Sequence, residues 1–448
     1  MEKQNLGQAV RNDEALAEVT ESQRQSWVTP AIIFGGLEFT IPVLMVGATL
    51  AGSFGMIQIL GLLAVALMVQ WVGNSIQGYM GAKSGRSSSV IARSGFGATQ
   101  ARWIIGLTIF LISMGWWAVQ TAVAANAISV MIGIDYEKQW VAWAVITVIT
   151  GLLFALPSII GYSTMKWTDY LAVPAGLVLI ISGIIFALQN TGWEKIVTWS
   201  PEPKMTWLAA ISLIIGVNVS QWVIASDYTR YSRPKIKDQL LIPIGIVGVG
   251  LPLFWVGAMM SVGVGDADIV KVMQQLGFSF WGFLILWLAT WTSQLVNNYS
   301  MGLALSNLFN VNSGKGRAWL TFGGTIAAIL VALAGFLNYF MDFLYMTALV
   351  YPAIAGVMFV DFFWLRRQDW VDLKGWNGVA SLALILGTIV GYYTQYVKPF
   401  GIPSVLSLLV TGLAYYCGMR LKARLQPDAF TPRHWIHPEK SRDHVSAG

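Results

Sequence analysis

Residues 31–51 read AIIFGGLEFTIPVLMVGATLA, an apolar run in which Glu38 is the single charged residue. A run of this length can cross the roughly 30 Å hydrocarbon core of a bilayer as an α-helix. Pro42 removes a backbone donor and Gly35-Gly36 lowers helix propensity, so we predict a helix broken at mid-membrane whose freed carbonyls can bind a cation. The alternative is a proline kink, with a protonated Glu38 hydrogen-bonded to a neighbour.

Apolar runs of this kind recur along the whole chain, which is 56% hydrophobic and only 11% charged. A soluble globular chain would carry roughly 25% charged residues. The sequence therefore predicts an all-α, polytopic membrane protein with about twelve transmembrane helices. The approximate cores of these predicted spans are 30–53, 57–80, 103–132, 140–162, 168–189, 206–226, 240–264, 279–308, 317–337, 341–364, 376–397 and 402–420.

The positive charges indicate how the spans are oriented. If the amino terminus is inside, 23 of the 28 Lys and Arg residues fall on inside segments. The remaining five, on the outside loops, are Lys138, Lys195, Lys204, Lys271 and Lys398. This asymmetry predicts a multi-pass protein of the cell (inner) membrane with both termini in the cytoplasm.

The segments outside the spans are short, so no separate soluble domain is predicted. We divide the chain into a cytoplasmic N-terminal tail (1–28), a transmembrane domain (29–425) and a cytoplasmic, disordered C-terminal tail (426–448). Residues 1–26 are polar and lack the apolar region of a signal peptide. The net charge of +6 is explained by the cytoplasmic loops, so no nucleic-acid partner is expected, and no obligate protein partner is evident.

Residue types needed for other functions are missing from the predicted spans. The one cysteine, Cys417, excludes an intrachain disulfide, and all three histidines lie in the C-terminal tail. A membrane-embedded enzyme would need a histidine or paired acids near an interface. Asp227 and Asp361 instead adjoin arginines at helix ends, as structural ion pairs do. We predict no enzyme and no cofactor, and the lack of a G-x-x-x-x-G-K-[ST] loop makes an ion gradient the expected energy source.

The third span contains GWWAVQ at residues 115–120, in which Trp116 and Gln120 share one helix face. A flat indole beside an amide suits a planar heterocycle, which would stack on the ring and hydrogen-bond through its edge. The alternative is a tryptophan that packs against another helix, with Gln120 joining the two helices.

The sixth span reads GVNVSQW at residues 216–222, where Asn218, Ser220 and Gln221 crowd the middle of an apolar helix. We predict a second broken helix here. Broken helices at corresponding positions of two repeated halves mark the midplane site of a transporter. Spans 1 and 6 would correspond in this way if each half contains five spans.

The eighth span contains ATWTSQLVNN at residues 289–298, again without a charge. The adjacent hydroxyls of Thr292 and Ser293 suit a hard cation, which prefers oxygen ligands. Gln294 and Asn298 lie four residues apart and share one helix face. The alternative is that the hydroxyls bond to carbonyls of their own helix.

A series of short segments lies at the ends of the spans: GYMGAKSG (78–85) and ARSGFG (92–97) between spans 2 and 3, SDYTRY (226–231) after span 6, and VDFF (360–363) at the end of span 10. In this order they resemble the nucleobase–cation symporter family, which includes bacterial cytosine permease and hydantoin permease. The resemblance runs from span 1 to span 10. It implies a five-plus-five inverted repeat with two additional helices, and a substrate site among spans 1, 3, 6 and 8.

The resemblance also implies roles for particular residues. Trp116 matches the aromatic residue on which the base stacks, Gln120 matches a substrate-contacting amide of the hydantoin-permease branch, and Asn298 matches a polar contact on span 8. The residues that match a sodium site are the carbonyls of Gly36, Phe39 and Ala289 and the hydroxyls of Thr292 and Ser293.

Two positions depart from the family pattern. Asn218 stands where the family often has an aromatic residue, so a second stacking surface is either missing or supplied by Trp222. Glu38 stands where the cytosine permeases have a neutral residue, and it resembles a glutamate of hydroxymethylpyrimidine-type relatives. Its carboxylate could accept two hydrogen bonds from an amidine-like edge, or carry a coupling proton.

We therefore expect a secondary active transporter that imports a nucleobase or related planar heterocycle, of the cytosine, purine or hydroxymethylpyrimidine class, by symport with Na⁺ or H⁺. The residues expected to contact the substrate are Glu38, Trp116, Gln120, Asn218, Gln221 and Asn298. One alternative is a symporter of the same architecture for an amino acid or other small polar solute. A passive channel is disfavoured because the spans carry no rings of charge.

Overall fold

The computed structural model describes residues 15–426. Within the fifth span, it describes the backbone but not the side chains of residues 163 and 165–173. Helices make up nearly all of the regular structure in these residues, and the one β-type pairing there is an isolated bridge between Gln25 and Ser232. The predicted all-α class is confirmed. Residues 427–448, nearly all of the predicted C-terminal tail, lie outside the described part of the chain.

Each predicted span corresponds to one continuous helix or to a helix interrupted into two or three pieces. We number them spans 1 to 12, in chain order: Val28–Glu38 with Ile41–Ala51, Met56–Ser84, Leu107–Met131, Trp140–Ile160, Tyr162–Thr191, Trp207–Asn218 with Gln221–Ile224 and Ser226–Thr229, Ile244–Val262, Phe280–Phe309, Gly314–Leu333, Phe340–Phe359, Gly378–Tyr392 and Pro403–Leu425. The short helices that connect or extend them are Glu21–Gln23, Ser88–Phe96, Ala98–Gln100, Ala101–Gly106, Trp193–Val197, Ile236–Leu241, Ile269–Gln275, Phe336–Tyr339, Val360–Leu365 and Tyr393–Val397.

The length and apolarity of these helices suit a bilayer. Within residues 15–426, nine continuous helices are long and apolar enough to cross a membrane, and two bent pairs, spans 1 and 6, raise the number to eleven. Span 8 is the twelfth: it has 30 residues and no charge, but its polar side chains lower its mean hydropathy. The boundary between spans 9 and 10 is a left-handed Gly335 followed by a 3₁₀ turn, so these are two separate helices.

Spans 1 and 6 are both interrupted, as predicted. The first half of span 1 ends at Glu38, Phe39 and Thr40 leave the helical conformation, and the second half begins at Ile41. Pro42 occupies the first turn of this second half, where no backbone donor is needed. The two halves are bent by 55° in span 1 and by 40° in span 6. Span 1 is therefore a broken helix rather than a kinked one.

The packing of the spans follows the expected inverted repeat. Span 1 packs along span 7, and span 6 packs in the same way along span 2. Span 9 lies against span 3, and its counterpart span 4 lies against span 8, while spans 3 and 8 pack against each other at the centre. Spans 11 and 12 pack on one another and on span 10, as additional helices outside the repeat. This arrangement brings spans 1, 3, 6 and 8 together at the middle of the molecule.

The described part of the N-terminal segment is held against the body of the protein. The backbone amide of Val19 donates to Gly85 at 2.9 Å, and the Ser87 hydroxyl donates to the carbonyl of Ala15 at 3.1 Å. Glu18 forms an ion pair with Arg86 at 2.9 Å. Residues 15–27 therefore connect the end of span 2 with the segment after span 6, a role that the polar composition of the segment did not reveal.

Candidate functional site

A small cavity lies where spans 1, 3, 6 and 8 meet, with a volume of about 20 Å³. This is room for one or two water molecules. A planar ring could enter only if the surrounding side chains or spans moved apart. The residues that line the cavity are Leu37, Thr40, Trp116, Gln120, Val217, Asn218, Ser220, Gln221 and Asn297. Four of the six predicted substrate contacts are thus brought together.

Trp116 lies at the wall of this cavity and is only 4% exposed. The edges of Phe340 and Phe343, both on span 10, pack against it with ring centroids 6.0 and 5.4 Å away. Its indole nitrogen has no hydrogen-bond partner among residues 15–426. Trp116 therefore packs against another helix, as the alternative interpretation expected, and also borders the space in which a ring could stack.

Gln120 connects this cavity with span 8. Its side-chain oxygen accepts a hydrogen bond from the Ser293 hydroxyl. Because the oxygen is engaged, the amide nitrogen is the group that remains for the cavity. One residue further along, Gln294 donates to the Thr121 hydroxyl at 2.8 Å and to the Trp117 carbonyl at 3.3 Å. Spans 3 and 8 are thus joined by two adjacent polar contacts, of which only the first reaches the cavity.

Oxygen atoms cluster beside the break in span 1. The Thr292 hydroxyl lies 2.8 Å from the carbonyl of Gly36 and 2.8 Å from that of Ala289. In a continuous helix the Thr40 backbone amide would donate to the Gly36 carbonyl. Here it donates instead to the backbone carbonyl of Glu38 at 2.7 Å. A hydroxyl has a single proton, so it can satisfy only one of its two neighbours at a time. Three neutral oxygens that share one proton make a fitting environment for an alkali cation.

Two of the five predicted sodium ligands, the carbonyls of Gly36 and Ala289, therefore lie within contact distance of a third, the Thr292 hydroxyl. The fourth, Ser293, follows Thr292 directly, but its hydroxyl is turned towards Gln120. The fifth, Phe39, stands at the break itself, with its side chain packed against Gly176 of span 5. The Thr292 hydroxyl also bonds to its own helix, as the alternative interpretation expected, yet it reaches across to span 1 as well.

Glu38 is fully buried but does not line the cavity. Its carboxylate faces span 7, where a Cβ added to Gly250 would lie 3.0 Å from it. Neither oxygen has a hydrogen-bond partner of normal geometry among the described residues, although the side chain of Asn218 interacts with it. Glu38 thus lies behind Asn218 rather than beside the space for a substrate.

Asn298 also lies away from the cavity. Its amide donates to Ser158 of span 4 at 2.8 Å, and its oxygen accepts from Thr325 of span 9 at 3.0 Å. Asn297, which sequence reasoning did not select, lines the cavity instead. A signal was present, since Asn297 is four residues from Ser293 and shares its helix face. The amide of Asn297 donates to the Ser293 carbonyl at 3.1 Å, which leaves its oxygen for the cavity.

Trp222 does not supply a second stacking surface. Its indole packs against Gly73 of span 2, where a Cβ would collide with the ring. From there it borders an apolar groove on the opposite side of span 6, between spans 2, 10 and 12. The expectation that Trp222 could replace the missing aromatic residue is wrong, because Trp222 and Asn218 are four residues apart across the interruption and face different helices.

Asp227 and Asp361, the two aspartates near helix ends, have structural partners. Asp361 forms an ion pair with Arg366 at 3.3 Å and accepts hydrogen bonds from Ser94 at 2.5 Å and Tyr415 at 2.8 Å. Asp227 accepts from the backbone amide of Ser88 at 2.8 Å and from the Ser300 hydroxyl at 2.7 Å. Both carboxylates thus join helix ends, and neither lines the central cavity.

Known proteins resemble this chain over almost its whole length. A family model described as permease for cytosine/purines, uracil, thiamine, allantoin matches residues 18–416. The cytosine permease of Escherichia coli (strain K12) is 24% identical over 387 residues, which are 85% of this chain and 89% of that protein. The hydantoin permease of Microbacterium maritypicum is 22% identical over 439 residues, 89% of this chain and 86% of that protein.

Solved structures share the fold. Mhp1, a nucleobase-cation-symport-1 family transporter in a closed conformation with bromovinylhydantoin bound, superposes with a TM-score of 0.79 at 20% identity and covers 92% of this chain and 96% of its own. A Na⁺-coupled sialic acid symporter in a substrate-bound outward-open state gives a TM-score of 0.66 at 15% identity, with 90% of each chain covered. These likenesses confirm the predicted architecture, including the inverted repeat.

Proposed function

The chain belongs to the family of permeases for cytosine/purines, uracil, thiamine and allantoin, and we propose that it imports a nucleobase or related planar heterocycle by symport with Na⁺. H⁺ is the alternative coupling ion. The substrate would be of the cytosine, purine or hydroxymethylpyrimidine class. The membrane would be the cell (inner) membrane, with both termini in the cytoplasm, as the distribution of Lys and Arg indicates.

The observation that carries this proposal is a flat indole beside amide groups, in a cavity at the junction of two broken helices. Trp116 offers a ring face, and Gln120 leaves its amide nitrogen towards the cavity. Asn218, Gln221 and Asn297 border the same space, so a planar ring on the indole would meet hydrogen-bonding groups around its edge. A flexible amino acid would gain little from this arrangement.

The oxygen cluster supports Na⁺ as the coupling ion. Thr292 and the carbonyls of Gly36 and Ala289 supply neutral oxygens, and a lone pair of the Ser293 hydroxyl and the Phe39 carbonyl would complete the set. Binding of the ion would tie span 8 to the interruption of span 1. The substrate would then bind between spans 1, 3, 6 and 8, and closure of the helix bundles around it would commit both solutes to transport.

Thermal stabilisation of the purified protein in detergent tests the proposal. Cytosine, adenine, hypoxanthine, uracil, hydroxymethylpyrimidine and hydantoin are each added in NaCl and in KCl. We expect one base to raise the melting temperature, more strongly in Na⁺, because a ligand that binds only the folded state stabilises it. Trp116→Ala should abolish the shift. Trp319→Ala is the control, since Trp319 is 74% exposed on the outer surface of span 9.

Other outcomes would change the proposal in specific ways. A shift that follows pH instead of Na⁺, and disappears in Glu38→Gln, would transfer coupling to protons. No shift for any base at millimolar concentration, together with a shift for an amino acid, would favour the small-solute symporter over the nucleobase transporter.

A further inference from the structure

The hydrogen bond from Ser293 to Gln120 joins the oxygen cluster to the cavity. Ser293 follows Thr292, the centre of the oxygen cluster, and Gln120 lines the cavity. Both side chains are buried, with exposures of 0% for Ser293 and 2% for Gln120. We infer that this bond transmits ion binding to the substrate site, by fixing the orientation of the Gln120 amide; the inference rests on the function proposed above.

The argument starts from the chemistry of a hydroxyl. Its oxygen has one proton to donate and two lone pairs with which to accept. When the Ser293 oxygen ligates a cation, a lone pair faces the ion and the O–H bond must point away from it. In this structure the O–H bond of Ser293 points to the Gln120 oxygen. The cation also polarises the hydroxyl, and hydrogen bonds that involve charge are stronger than neutral ones.

Without the ion, the Ser293 hydroxyl has a second acceptor within reach. The carbonyl of Thr290, on the same helix, lies 3.5 Å away. A hydroxyl that turned to Thr290 would release the Gln120 amide, which could then rotate and present either its oxygen or its nitrogen to the cavity. Ion binding would therefore select one of two orientations of the amide.

The selected orientation has a consequence for the substrate. With its oxygen directed to Ser293, Gln120 presents its amide nitrogen, a hydrogen-bond donor, to the cavity. The substrate must place an acceptor there, such as a ring carbonyl or an unprotonated ring nitrogen. Thermodynamic linkage then requires that the base raises the affinity for Na⁺ by the same factor by which Na⁺ raises the affinity for the base.

A neighbouring contact provides a matched control. Gln294 is the residue after Ser293, and it too joins span 8 to span 3, by donating to Thr121 at 2.8 Å. Gln294 and Thr121 line neither the cavity nor the oxygen cluster. Thr121→Val removes the acceptor of this bond without a change of shape. It therefore perturbs the same pair of helices while it leaves the proposed link intact.

The experiment measures linkage rather than affinity alone. The dissociation constant of the tightest-binding base from the panel is measured in saturating Na⁺ and in K⁺, and Na⁺ binding is measured separately without base. We expect a ratio of about tenfold or more between the two base constants in the native protein. In Gln120→Met, Na⁺ affinity without base should stay within about twofold while this ratio falls to within about twofold of one. Thr121→Val should keep the full ratio.

Each other outcome is decisive. A ratio that survives in Gln120→Met, despite weaker base binding, would place the coupling in the ordering of span 1 and overturn the inference. An equal loss of linkage in Thr121→Val would do the same. If Gln120→Met does not fold, Gln120→Ala with the same two measurements replaces it. A native protein that binds a base equally in Na⁺ and K⁺ contradicts this inference and the choice of Na⁺ but leaves the proposed transport of a base, whereas one that binds no base contradicts the proposed function as a whole.

Discussion

The interruptions of spans 1 and 6 occupy equivalent places in the two halves of the molecule, but they are completed differently. In span 6, side chains from neighbouring spans engage the carbonyls around the break: Gln70 donates to Ile215 at 2.5 Å, and the Thr347 hydroxyl lies 3.1 Å from the Gly216 carbonyl and 2.8 Å from the Leu344 carbonyl of its own helix. In span 1, the Thr292 hydroxyl is shared in the same way between Gly36 and Ala289, but among the described residues no side-chain amide donates to a backbone carbonyl of this break. Span 6 is held by protein groups, whereas span 1 leaves oxygens that a cation can complete.

The backbone conformations at the two breaks also differ. At the break in span 6, Val219 and Ser220 keep helical dihedral angles. At the break in span 1, Phe39 and Thr40 leave the helical region, and Pro42 prevents the second half from extending backwards. Similar polar and glycine-rich sequences thus produce a nearly continuous helix in one half and a true gap in the other. The gap is the part at which we propose that the cation binds.

Removing the hydroxyl at the gap should have the largest effect. In Thr292→Val, Na⁺ affinity should fall about tenfold or more, because contacts between a polar group and a charge contribute about 1.5–3 kcal/mol. The melting temperature without Na⁺ should fall as well, because the buried Gly36 carbonyl loses its donor, so the sodium-dependent shift is the quantity that decides. Sodium titrations of the melting temperature measure both quantities. Thr347→Val is the matched control, since its hydroxyl serves the break in span 6, and an equal loss of sodium response there would erase the distinction between the two breaks.

A change at span 6 should weaken the fold rather than the ion site. Gln70→Leu removes the side-chain donor of the Ile215 carbonyl, which keeps the Val219 amide at 2.8 Å, and we expect a loss of about 0.5–1.5 kcal/mol in the free energy of unfolding. Unfolding by sodium dodecyl sulfate measures this loss. The sodium-dependent shift of the melting temperature should be retained. A variant of native stability that has lost its sodium response would show that span 6 shares in ion binding.

The proline of span 1 should have a smaller effect. Pro42→Ala permits a continuous helix when the ion is absent, so Na⁺ would have to break the helix as it binds. The resulting cost of about 0.4–1 kcal/mol corresponds to a two- to fivefold lower Na⁺ affinity. Pro252→Ala, within the unbroken span 7, is the control and should leave Na⁺ affinity unchanged. Equal affinities for the Pro42 variant and the native protein would mean that the gap persists without its proline.

The sequence predicted the order of the spans, both interruptions and the four spans that form the site, because long apolar runs and helix breakers leave a clear pattern. It did not predict which side of each helix faces the centre. One residue along a helix turns the side chain by about 100°, which separates Asn297 in the cavity from Asn298 between spans 4 and 9. A helix that is apolar on all sides gives no amphipathic stripe from which this rotation could be read.

The direction in which a side chain leaves its helix matters most for Glu38, which faces span 7 rather than the cavity. Its substitution should therefore have the smallest effect on base affinity. Glu38→Gln keeps the shape beside Gly250 and removes no group from the cavity lining. We expect the base dissociation constant to change by less than about threefold, or 0.6 kcal/mol. Asn218→Ala, which does alter the lining, should weaken binding about tenfold, as the loss of a buried hydrogen bond predicts. Equilibrium binding of the same base to both variants in saturating Na⁺ measures the difference. If Glu38→Gln weakens base binding as much as Asn218→Ala does, the Glu38 carboxylate contacts the edge of the substrate. The gap in span 1 would then bind the base as well as the ion.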